Sequence, residues 1–198
     1  TKIMERLIDE GVIDPVSPSL LQADSYTSKT YEDYFLGSIG RRTGKYYAGL
    51  DDFNIIYPTF ETNLSIEIPS YPMYKEGAFE DIIYDYSIPD RKDIFTRDLH
   101  AGYGYGNPYL TRYRNPQGEI PLKLLIIGDS FSAIPSTFLA LPFQSCDRVD
   151  MRYYNHYDET TDIEFKTYYK QYDPDIVVLL VNNINENENL SYDFFGEE

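Results

Sequence analysis

Residues 122–132, LKLLIIGDSFS, constrain this chain more than any other segment. The apolar run up to Ile127 is long enough for a strand and is bounded by turn residues, the pattern of a strand buried on both faces. It ends in Gly128-Asp129-Ser130. Residues 132–143 follow with a helical composition, in which Pro135 is tolerated in the first turn and Pro142 lies near the end. A strand that passes through a tight turn into a helix is the unit of an α/β sheet, and such sheets carry their reacting groups beyond the carboxyl ends of their strands. Ser130 therefore stands where the nucleophile of a serine-esterase-type site belongs.

The rest of the carboxyl-terminal half agrees with that unit. Residues 148–151 and 176–181 read as two more strands, and Ile163, Phe165, Tyr168, Tyr169 and Tyr172 repeat at helical spacing before Asp173-Pro174 stops the pattern. The spacing predicts two right-handed βαβ units, and so a parallel sheet flanked by helices over 117–182. The amino-terminal part, 1–116, is written differently. Residues 2–10 predict a helix stopped at Gly11, 53–57 and 64–68 predict two strands of an antiparallel ribbon, and 78–84 predict a short helix. The loop at 100–108 has glycines at 102, 104 and 106, so it needs unusual backbone angles or close approach. The expectation is one compact α/β domain with a β-rich insertion, ending in an acidic polar tail at 183–198.

Charge and composition narrow the partners. The net charge of −16 repels polyanions, so nucleic acid and anionic membranes are disfavoured. No apolar run approaches the roughly 20 residues that span a bilayer. The single cysteine, Cys146, excludes an intrachain disulfide and a multi-cysteine metal site, and reads as a core thiol. The NNINENEN tract at 182–189 has oxygen ligands but lacks the glycine and bidentate glutamate of a calcium loop. No metal and no cofactor is expected. The 21 tyrosines are spread along the chain, a composition that suits carbohydrate contact but equally the ordinary burial of amphipathic rings.

A serine hydroxyl needs a base. The chain holds two histidines. His100 follows Asp98 in a D-x-H arrangement, an alternative acid/base pair, and His156 lies in RYYNHYD. Gly128 permits a sharp backbone, and free N–H groups at the start of the helix offer an oxyanion site. Asn182, at the exit of the last strand, is a second oxyanion donor candidate, with Asn183 beside it. Arg152 is a candidate for holding an anion or an acyl oxygen. Each has a plainer reading: Asp129 and Ser130 as helix caps, the asparagines as turn formers, Arg152 as a salt-bridge partner.

Several segments together resemble the bacterial DHHW family, a branch of the SGNH-hydrolase-like superfamily that includes polysaccharide O-acetylation proteins. They are FLGSIGRRTGKYY (35–47), DDFNIIYPTFET (51–62), the 103–116 loop ending in RNP, LKLLIIGDSFS, and VDMRYYN through YDPDIVVLLVN. The resemblance implies an SGNH-hydrolase-like sheet with Ser130 as nucleophile in the GDSF turn. It also implies an Asp-x-His or Asp-His-His-Trp motif ahead of the helix that corresponds to 2–10. No such motif precedes that helix here, so the chain is expected to be the carboxyl-terminal portion of a longer protein whose base lies upstream of Thr1. The SGNH pattern of a late Asp-x-x-His is missing, since no histidine follows residue 181. The expected function is an extracytoplasmic acyl-ester hydrolase or O-acyltransferase acting on acetyl groups of a carbohydrate. The rival is an inactive glycan-binding or envelope-assembly module on the same fold.

Overall fold

A computed structural model describes residues 2–150, 152 and 164–182. The chain divides into two compact units, Thr1–Asn63 with Gly77–Gly106, and Leu64–Glu76 with Asn107–Glu198.

The first unit opens on helix α1 (Lys2–Asp9), which buries Met4 and is stopped at Gly11. Strand β1 (Tyr26–Phe35) pairs antiparallel with β2 (Asp51–Pro58), from Tyr26 opposite Pro58 to Phe35 opposite Asp51. Between them lie two short helices, α2 (Gly37–Thr43) and α3 (Lys45–Ala48). β2 alternates, with Phe53 and Ile55 turned inward. Its inner face belongs to a core that also takes Phe79 and Ile82 of the single-turn helix α4 (Phe79–Ile82), with Ile83, Tyr84, Leu99 and Tyr103.

The second unit is a mixed sheet of six strands among the described residues. β3 (Leu64–Ile68), β4 (Met73–Gly77), β5 (Leu110–Arg114), β6 (Ile120–Gly128), β7 (Phe143–Asp150) and β8 (Ile176–Leu180) lie in the order β4-β3-β5-β7-β6-β8. Helices α5 (Ala133–Leu139) and α6 (Phe165–Tyr172) connect the parallel members. β7, β6 and β8 run parallel, whereas β5 meets β7 antiparallel and β3 meets β5 antiparallel. The expected parallel sheet is thus confined to three strands. The other half is built from residues of the 1–116 segment: β3 and β4 fall in the expected β-rich insertion, and β5 in the stretch that reads as a loop ending in RNP.

The predicted ribbon of 53–57 with 64–68 does not form. β2 and β3 join different sheets: β2 pairs with β1, whereas β3 lies between β4 and β5. β3 still has the predicted alternation, with Leu64, Ile66 and Ile68 buried. β6 buries every residue from Leu124 to Gly128, as a strand covered on both faces must. Tyr109, Leu110, Leu125, Ile127, Val149, Phe165 and Tyr168 form one apolar cluster beneath α6. Cys146 is fully buried, and burial pushes its thiol pKa well up, as befits a core residue.

The loop at 100–106 meets both of its expected demands. Gly104 and Gly106 have positive φ, and a Cβ on Gly102 would collide with the ring of Tyr84. Among the described residues, no helix is long and apolar enough to cross a membrane.

Candidate functional site

The turn after β6 is held from several directions. Asp129 is 2% exposed, with extended backbone, and its carboxylate accepts two main-chain N–H groups: Phe131 at 2.8 Å and Asn182 at 2.9 Å. The first is the local cap that a short acidic side chain makes at a helix start. The second ties the turn to the exit of β8. Asp129 N in turn donates to the Leu180 carbonyl at 3.3 Å.

Gly128 is needed for space rather than for backbone angle. Its φ is ordinary, but a Cβ there would overlap the Leu180 carbonyl oxygen and come within 2.6 Å of Ser132 Cβ. The glycine lets β8 and the helix start close on the strand end from both sides.

Ser130 is half-buried and begins a short 3-10 turn, Ser130–Ser132, that runs into α5. Among the described residues, neither its Oγ nor its main-chain N–H has a hydrogen-bond partner. Ser132, two residues on, is the opposite case. It is fully buried, its Oγ donates to the Asp129 carbonyl at 2.6 Å and accepts from Arg148 Nε at 2.7 Å. Of the two serines in GDSFS, only Ser130 has a hydroxyl free to react. Phe131 beside it is 63% exposed.

Beneath the turn lies a buried arginine that sequence reading passed over. Arg148 on β7 is 1% exposed. Its Nη2 reaches the Asp129 carbonyl at 3.1 Å, Asp150 Oδ2 at 3.2 Å and Asn107 Oδ1 at 3.4 Å. Burial lowers the guanidinium pKa and the Asp150 carboxylate opposes that shift; an arginine keeps its proton even so. Asp150 is fully buried and also receives Arg152, whose Nε lies 3.0 Å from Oδ1 and Nη2 2.7 Å from Oδ2. The Arg152 fork is therefore engaged by a carboxylate two residues away, the salt-bridge use weighed from sequence. The Asn182 main-chain N–H is engaged by Asp129. The turn, the end of β7 and the exit of β8 thus form one connected polar network.

Asp98 and His100 belong to the first unit. Asp98 is paired with Arg41, Oδ2 to Nη2 2.9 Å. The His100 ring meets Phe35 and Phe53 edge-on, with centroids 4.7 and 5.2 Å away. Burial against those rings lowers the imidazole pKa, Asp98 raises it, and Arg41 lowers it. His156 and Asn183 lie outside the described residues. Among the described residues, no group of three histidine, cysteine, aspartate or glutamate side chains is placed to hold a metal ion.

On the opposite face of β7, Asp147 is fully buried and is bonded by Arg114 and by the Tyr168 hydroxyl. Burial raises its pKa, which Arg114 and Tyr168 counter. Tyr168 stacks on Tyr172 at 5.9 Å, and both phenol pKa values are raised, chiefly by burial. This cluster joins α6 to the sheet.

Fold and turn together define an α/β protein with a half-buried serine at the exit of a central parallel strand. No protein-family model matches the chain, and no curated protein matches it by sequence. Solved structures do share the fold. One is PatB1 of Bacillus cereus carrying a sulfonyl adduct: TM-score 0.65, 17% identity, 92% of this chain and 54% of that one. PatB1 without the adduct gives 0.63, 17%, 92% and 56%. A DHHW family protein from Eubacterium siraeum gives 0.59 at 14% identity, covering 96% of this chain and 55% of that one. At such identities the likeness is one of fold. The chain spans about half the length of the proteins it matches.

Proposed function

We propose that the protein is an SGNH-type acyl-ester hydrolase or O-acyltransferase of the DHHW family, acting outside the cytoplasm on acetyl groups of a carbohydrate, with Ser130 as nucleophile. The observation that carries this reading is the contrast at the β6 exit: Asp129 and Ser132 are buried and fully engaged, while the Ser130 Oγ between them is not.

In the proposed reaction, Ser130 Oγ loses its proton to a histidine base and attacks the acyl carbonyl. The carbonyl oxygen becomes an oxyanion beside the Ser130 N–H, and the alcohol leaves with the proton carried by the base. Water or a second sugar hydroxyl then takes the acyl group from Ser130. The fold shared with a DHHW family protein and with PatB1 supports the class, and the motifs of the GDSF and RNP segments support the family. The test is acetate release from an acetylated glycan and from p-nitrophenyl acetate. Ser130→Ala is expected to lower kcat by at least about 1000-fold, the scale of losing a covalent nucleophile. Unchanged turnover would exclude Ser130.

The rival reading, a glycan-binding or assembly module without activity, is favoured by the state of the D-x-H pair. Asp98 is committed to Arg41, and His100 is packed against two phenylalanines. It predicts no turnover and undiminished glycan binding by Ser130→Ala.

A further inference from the structure

Building on the hydrolase or transferase reading, we propose that Arg148 is a positioning residue that aims and polarises the Ser130 main-chain N–H as the oxyanion donor. The link is the peptide group between Asp129 and Ser130. Its carbonyl oxygen receives three donors: Ser132 N at 3.0 Å, Ser132 Oγ at 2.6 Å and Arg148 Nη2 at 3.1 Å. A planar trans peptide points its N–H opposite to its C=O, so clamping the carbonyl fixes the direction of the Ser130 N–H. That N–H has no partner among the described residues.

Arg148 adds charge to the clamp. A guanidinium bonded to an amide oxygen pulls electron density toward that oxygen and makes the N–H of the same amide a stronger donor. Its other contacts hold it in place: Nε donates to the Ser132 hydroxyl that also bonds the carbonyl, and the Nη2 that reaches the carbonyl also donates to Asp150 Oδ2 and Asn107 Oδ1. Stability alone does not account for an arginine at this place, since apolar residues of similar volume often replace buried ion pairs without loss. The turn is what the charge touches.

The experiment compares full chains carrying Arg148→Met, Arg148→Lys and Ser132→Ala. It records the Ser130 amide resonance by two-dimensional NMR and kcat and KM on p-nitrophenyl acetate. Arg148→Met is expected to move the Ser130 amide nitrogen upfield and to lower kcat by about 10-fold or more, part of the loss known for a whole oxyanion donor, with KM nearly unchanged. Arg148→Lys recovers part of both effects, and Ser132→Ala gives smaller changes in the same direction. A folded Arg148→Met chain with an unmoved Ser130 amide and full kcat overturns the proposal. If that variant does not fold, the same outcomes in Ser132→Ala decide it. A full-length wild-type protein that turns over no ester removes the enzymatic reading by itself; the Ser130 amide then still decides the clamp, a shift upholding it and no shift overturning it.

Discussion

Asp129 holds two main-chain N–H groups with one carboxylate, one from Phe131 beside it and one from Asn182, 53 residues further along the chain. A single buried side chain thus sets both the local turn and the approach of β8. GDSFS marks the turn plainly in the sequence, but only the fold brings Asn182 to it. The sequence makes Asn182 a candidate oxyanion donor, whereas its main-chain N–H is given to Asp129. His100 carries a prediction at the same scale. Its folded pKa lies below the ordinary value of 6.5, so the unfolded chain binds more protons between the two values. Its part in stability is complete above that ordinary value and is lost as pH falls through it toward the folded pKa. Urea unfolding at about pH 7.5 and about pH 5.5 is expected to show a smaller loss of stability for His100→Asn than for wild type. Equal losses would mean that the imidazole titrates as freely folded as unfolded.

Strands differ sharply in how well they could be read. β6 was plain because every requirement on it is local: an apolar run buried on both faces and a turn signal at its end. The sequence places β7 only from residue 148, although it starts at Phe143, because 132–143 reads as a crossover helix and Asp147 looks wrong for a buried strand. The charges of Asp147 and Arg148 are met chiefly by partners distant in sequence, Arg114 and Tyr168 for Asp147, Asp129 and Ser132 for Arg148, with Asp150 two residues on. β1 escaped notice for a related reason: YTSKTYEDYF is mostly exposed and is organised by its pairing with β2 rather than by an apolar stripe. The same dependence on distant partners defeated the expected ribbon of β2 with β3. The contact of β6 with β8 is more sensitive than either strand alone suggests. Gly128→Ala drives a methyl group into the Leu180 carbonyl and Ser132. It is expected to cost about 1–3 kcal/mol, the range for overpacking a close contact, and to lower the thermal midpoint measured by circular dichroism. An unchanged midpoint would show that β8 can give way.

Across the whole molecule, the parallel strands of the mixed sheet come from 117–182, and 1–116, with its helix, β-rich segment and Gly/Tyr loop, supplies the first unit and the antiparallel strands of that sheet. The fold is shared with a DHHW family protein and with PatB1, over nearly all of this chain and about half of theirs. Net charge, by contrast, says nothing of where charge sits: in a chain of −16, the arginine bonded to the Asp129 carbonyl is buried beneath the turn. The account stands or falls on the reactivity of Ser130. The direct measurement is peptide mass spectrometry of the full-length protein after incubation with a sulfonyl fluoride or fluorophosphonate. One adduct is expected, on Ser130 and absent from Ser130→Ala; an unmodified Ser130, whether or not another residue is labelled, would contradict a serine nucleophile at this turn.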